Sequence, residues 1–207
     1  ERFTLQEASV IGFVFWDQAL VAIDPQAGLS LPTLVRRALA LPRQGVNLEG
    51  MREYVFRHHI LHHVTYETLL KRTRCELHAR VAAWLASLAD VRAKDFLGIT
   101  AEHYDKAGDA ANAAEYHSRA ADHARDRFAH DAALHHVQRA LTLLDAAPLE
   151  SEPPPVAAMQ LRWRLLLARE RTLDLKGQRR EQRVDLDALD MLADALDDDG
   201  RRAYVAS

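Results

Sequence analysis

Cysteine is nearly missing from this 207-residue chain: Cys75 stands alone, so no internal disulfide can form. A single thiol suits a reducing compartment, and a cytoplasmic location is expected. Turn-formers are also scarce, with 8 Gly and 7 Pro, which favours long helices over many short strands. No apolar run approaches the ~20 residues that a membrane span requires. Neither sign of charge dominates; the formal net charge of -3 creates no global field toward nucleic acid or an anionic membrane. Glu1-Arg2-Phe3-Thr4 does not resemble a signal peptide. With no initiator Met and a helix that looks cut short at Ala203–Ser207, the chain is expected to be a piece of a longer protein. What is present, 48% hydrophobic and 28% charged residues, is ordinary for a chain that buries a real core.

The stretch Glu53–Leu70 organises the first part. Tyr54-Val55-Phe56 is aromatic and β-branched, the composition of a short strand. Ile60, Leu61, Val64 and Leu69 then stand near helical spacing, so the chain turns from strand to helix around His58. Before it, Thr4 is expected to cap a helix that Gly12 ends. A second helix is expected over Phe15–Ile23, stopping before Pro25. A third is expected after Ser30, with Leu34, Val35, Ala38 and Leu39 inward and Pro42 beyond its end. Residues 43–52, with Gly45, Asn47 and Gly50, read as a hairpin or loop. Leu77, Val81, Trp84, Leu85 and Leu88 mark a further amphipathic helix. The expected fold class is mainly α, with residues 1–90 as a winged-helix-like domain carrying a small β-hairpin.

From about Val91 the pattern is helix after helix: Phe96–Ala107, Asp109–Arg127, Asp131–Asp145, Val156–Lys176 and one around Leu186–Leu196. Gly108, Gly177 and Asp197-Asp198-Asp199-Gly200 punctuate them, and Pro148 and Pro153-Pro154-Pro155 form a stiff connector. Ala101, Tyr104, Gly108, Ala113 and Ala120 stand where a tetratricopeptide repeat keeps its small, aromatic and turn residues; Ala133 and Ala140 repeat the last pair. A methyl at such positions lets neighbouring helices approach closely. Residues 91–207 are therefore expected to form a tetratricopeptide-like helical array.

These residues together carry a resemblance. Ala8-Ser9-Val10-Ile11-Gly12, Phe15-Trp16, Tyr54-Val55-Phe56-Arg57-His58, Val64-Thr65-Tyr66-Glu67-Thr68-Leu69-Leu70, Arg74, His78 and Ala101-Glu102-His103-Tyr104 resemble the large bacterial STAND-type signalling ATPases. In that family, often described as adenylate/guanylate cyclases or ATP-dependent transcription regulators, an AAA-like ATPase precedes a winged helix and tetratricopeptide-like repeats. The resemblance implies a non-catalytic regulatory segment that couples an upstream ATPase switch, acting in cis, to a scaffold for a protein or peptide partner. It implies ATP or ADP for the upstream domain. No G-x-x-x-x-G-K-[ST] loop and no cyclase catalytic segment occur here, so no cofactor is expected in this piece itself. The resemblance also implies that His58, with Arg57 beside it, senses the phosphate end of that nucleotide; the alternative is that His58 merely closes the strand-to-helix turn.

Other readings compete. His58/His62 and His59/His63 are each one helical turn apart, a spacing that can hold zinc, but the pairs point about 100° apart and no CxxC completes a shell. No metal is expected. DNA contact through the third helix would make the chain a transcription-regulator segment, yet Leu31–Leu39 offers only Arg36 and Arg37 as cations. The basic runs Lys71–Arg74 and Arg179–Arg183 read as solvated helix faces. No paired carboxylates or nucleophile–base constellation points to an enzyme.

Overall fold

The structure, a computed structural model, describes residues 1–43, 50–88, 90–146 and 155–206, and of 90–93 the backbone alone. Among the described residues are eleven helices and three short strands. They divide into two compact units, residues 1–93 with 103–109, and residues 94–102 with 110–207.

The first unit runs α1 (Arg2–Ile11), β1 (Val14–Trp16), α2 (Asp17–Ile23), α3 (Ala27–Arg36), β2 (Ala40–Pro42), β3 (Glu53–Phe56), α4 (His59–Glu67) and α5 (Lys71–Ser87). β3 lies between the two others, antiparallel to both, with Phe15 opposite Tyr54 and Ala40 opposite Phe56. One sheet face therefore carries Phe15, Tyr54, Phe56 and Ala40, all buried, with the Phe15 ring 5.7 Å from Tyr54 and 5.6 Å from Phe56. Pro42 sits on an edge strand, where its missing N–H costs no central ladder bond. Gly28 faces Val21 so closely that a Cβ there would lie 3.0 Å from Cγ2, and its bare backbone lets α3 cross α2.

Three local expectations change. Phe15 and Trp16 belong to a strand and not to the second helix, so the expected hairpin is a three-stranded sheet. Thr4 is a buried residue inside α1, which starts at Arg2, and Ser30 is likewise inside α3. Asp198 does more than close a helix: its side chain accepts from the Arg201 N–H and caps a new one. Residues 44–49 of the expected hairpin or loop, and Pro148, Pro153 and Pro154 of the connector, lie outside the described residues.

Helix α6 (Asp90–Ala107) contributes its His103–Ala107 end to the first unit and residues 94–102 to the second. The second unit continues with α7 (Ala110–Asp126), α8 (His130–Ala146), α9 (Val156–Leu175), α10 (Arg179–Ala195) and α11 (Asp199–Val205). From α7 to α11 each helix packs on the next, and α9 also meets α7. Ala101, Ala113, Ala114 and Ala140 are completely buried, with Ala120, Ala121 and Ala133 nearly so. Around them close Val137, Leu141, Trp163, Leu165, Leu166 and Leu189.

Five helices end in the same way. Residues 38, 108, 128, 177 and 197 take positive φ, and in each case the next N–H reaches back five residues, as from Ala129 to Ala124 at 2.9 Å. Gly108 and Gly177 suit that conformation; Phe128, at φ 58 and 82% exposed, does not. Phe128→Gly is expected to raise stability by about 0.5–1 kcal/mol, since strain is relieved and little packing is lost. Urea denaturation followed by circular dichroism checks this, and a lower midpoint would show that the ring does more than cover the turn.

Candidate functional site

The junction between β3 and α4 is built from both sides of the chain. The Arg57 N–H donates to the Leu39 carbonyl at 3.1 Å, which continues the sheet pairing by one residue. His58 is extended, at φ -136 and ψ 138, and occupies the position before α4, where its carbonyl accepts from His62 N–H at 3.2 Å. Its ring makes no capping bond. The side chains of Arg57 and His58 are both exposed and form no hydrogen bond or ion pair with a described residue. Two polar heads are thus presented to solvent on a rigid strand-to-helix corner.

The neighbouring histidines diverge. His59 stacks on Phe13 with ring centres 3.6 Å apart. His62 donates through Nε2 to the Ser9 carbonyl at 2.9 Å and meets Phe56 edge-on, and burial holds its pKa below the usual histidine range. His63 is exposed. No group of three or more His, Cys, Asp or Glu side chains is arranged to hold a metal among the described residues. Beside His58 lies an apolar face: Ile60 is 77% exposed and Val64 54%, so this stripe at helical spacing faces solvent and not the core. A stripe of this kind is a candidate docking surface.

Helix pairing assembles what spacing alone does not reveal. The Tyr66 hydroxyl lies 2.9 Å from His78 Nε2, and His78 Nδ1 lies 2.8 Å from His103 Nδ1. A backbone hydrogen bond to Ile11 also holds the His103 ring. Burial depresses both rings, His78 to about 3 and His103 to about 4, with Lys106 adding to the effect on each. In the second unit His117 Nδ1 meets His136 Nδ1 at 3.0 Å, and Gly98 leaves the room for the His136 ring: a Cβ would come within 3.2 Å of it. Burial, then His135, lowers the His136 pKa.

Carboxylates add two further features. Glu7 Oε2 is buried with no hydrogen-bond partner among the described residues, and burial, aided by Asp24, pushes that carboxyl up to about 7. Asp185 is 1% exposed and receives two bonds from Arg169, at 2.9 and 2.5 Å, while Arg169 also donates to Gln138 at 2.9 Å. That fork ties α10 and α8 to α9. The basic runs are answered locally: Arg72 by Glu76, Arg74 by Glu67, Arg179 by Asp174 and Arg183 by Asp187. Just past α3, Arg37 is paired with Glu1 at 2.5 Å. No helix among the described residues is long and apolar enough to cross a membrane.

Compared with protein-family models, with curated proteins and with solved structures, the chain gives no match.

Proposed function

We propose that this chain is a non-catalytic regulatory and protein-interaction segment of a multidomain nucleotide-dependent signalling protein. The first unit is read as a winged helix and the second as a tetratricopeptide-like scaffold. The order α1-β1-α2-α3-β2-β3-α4, with β3 between β1 and β2, supports the winged-helix reading. Consecutive helices closed over buried alanines support the scaffold reading. The observation that carries the functional reading is the corner at Arg57 and His58, exposed and unbonded beside the open Ile60/Val64 face.

In this reading the apolar face packs on an upstream ATPase module, and His58 and Arg57 meet the phosphates of its ATP or ADP. Loss or exchange of that nucleotide shifts the winged helix and biases a two-state equilibrium. His58→Ala in the nucleotide-binding parent protein is expected to weaken ADP binding about tenfold, the worth of one charge-assisted hydrogen bond. Unchanged affinity together with unchanged activation would remove His58 from this role. Contact of α3 with DNA is the competing reading; Arg36 is the one cation on α3, and Arg37 just past it is already paired with Glu1. A salt-dependent gel shift by this chain would favour it.

A further inference from the structure

Once the Ile11 bond is assigned to His103 Nε2, a single arrangement of hydrogen atoms serves every member of the Tyr66–His78–His103 chain with neutral rings. The Ile11 bond favours a protonated His103 ring, so Ile11 contributes its carbonyl; because Nδ1 is turned to His78, we assign that bond to His103 Nε2–H. His103 Nδ1 is then an acceptor, and His78 Nδ1–H must be the donor across the 2.8 Å gap. His78 Nε2 is then the acceptor for the Tyr66 hydroxyl at 2.9 Å. The chain thus runs in one direction, from α4 through α5 and α6 to α1. A proton added to His103 Nδ1 places two N–H groups face to face and breaks the central bond.

Among the described residues no carboxylate is placed to compensate for such a proton. Around the pair stand Tyr66 from α4, Arg74 from α5, Lys106 from α6 and the Ile11 backbone from α1. Arg74 pairs with Glu67 and lies over the Tyr66 ring at 4.9 Å. No carboxylate among the described residues hydrogen-bonds either imidazole, and His78 and His103 are 2% and 5% exposed. Two buried rings in a cationic setting must stay neutral to stay in place.

We propose that the Tyr66–His78–His103 chain is an acid-sensitive latch, and that proton uptake by the ring pair releases the His103–Ala107 stretch of α6 from its bonds to α1 and α5. The latch is independent of the nucleotide reading. It acts through the free-energy gap between rings that accept protons readily when released and poorly when latched.

The test combines ring titration by NMR with amide hydrogen exchange, corrected for intrinsic rates, at pH 7.5 and 5.0. Expected at pH 7.5 are the Nδ1–H tautomer at His78 and the Nε2–H tautomer at His103, both persisting to pH 5. Acidification is expected to cost peptides over His103–Ala107 at least about tenfold in protection, and α9 clearly less. In a His78→Leu/His103→Leu variant that loss should vanish. Either ring titrating near the free value in the folded protein, equal protection at both pH values, or a loss in α9 as large as that over His103–Ala107 would overturn the latch.

Discussion

Replacing Arg169 by Met is expected to destabilise the second unit by about 3–5 kcal/mol, which urea denaturation will register as a large drop in midpoint. The asymmetry of burial sets the size. Asp185 is 1% exposed, whereas the Arg169 side chain is 22% exposed and its head has a way to water. Removing the guanidinium therefore strands a carboxylate that cannot escape, and Gln138 loses its partner as well. Asp185→Ala leaves a cation that can turn outward, so a smaller loss is expected. The double replacement Arg169→Met/Asp185→Leu removes both charges and should recover most of the stability. A single Met variant within about 1 kcal/mol of the parent would show that the fork contributes no more than a surface pair.

The second large effect is a loss of stability on acidification. His78 and His103 titrate in the unfolded chain near 6.5 and in the folded protein near 3 and 4. Between those limits the unfolded state holds more protons, so stability present above pH 6.5 is lost as pH falls through the window. Each ring contributes about 1.4 kcal/mol per pH unit there. His62 and His136, also lowered, act in the same direction. Glu7 acts against them: its folded pKa near 7 exceeds the ordinary 4.5, so its contribution is present below 4.5 and lost as pH rises through 7. The two buried imidazoles outnumber it, and the net slope from pH 4.5 to 6.5 is positive. Equal stability at pH 7.5 and 5.0, by denaturation followed by circular dichroism, would contradict this, and Glu7→Gln should steepen the slope.

Much of the fold is legible in the sequence, and the exceptions have physical causes. The change of period at His58 locates both β3 and α4, because aromatic and β-branched residues give way to a stripe four residues apart. Gly108 and Gly177 mark helix ends because their φ values are 84 and 68. β1 is hidden because three residues are too few for alternation to show, and Phe15, Ala19, Leu20 and Ile23 also fit a helical face. The end of α7, expected at Arg127, falls at Asp126, although Phe128 and not a glycine takes the left-handed position that closes it.

The candidate sites divide along the same line. Arg57 and His58 are singled out in the sequence only by the resemblance and by the change of period at His58; their exposure at the strand-to-helix corner comes from the structure. The His78–His103 and Arg169–Asp185 pairs join residues 25 and 16 positions apart on different helices. No spacing rule connects them; helix packing does. The exposed Ile60/Val64 stripe is the reverse case, a periodicity that correctly signals a helix and says nothing of which way its apolar side faces.

Calorimetric titration with ATP and ADP tests the proposed role most directly, run once on this 207-residue chain and once on a polypeptide extended through the proposed upstream nucleotide-binding module. A regulatory segment without a phosphate-binding loop is expected to give no binding heat alone, while the extended polypeptide binds in a manner weakened by His58→Ala. Nucleotide binding or hydrolysis by the 207 residues alone would contradict it.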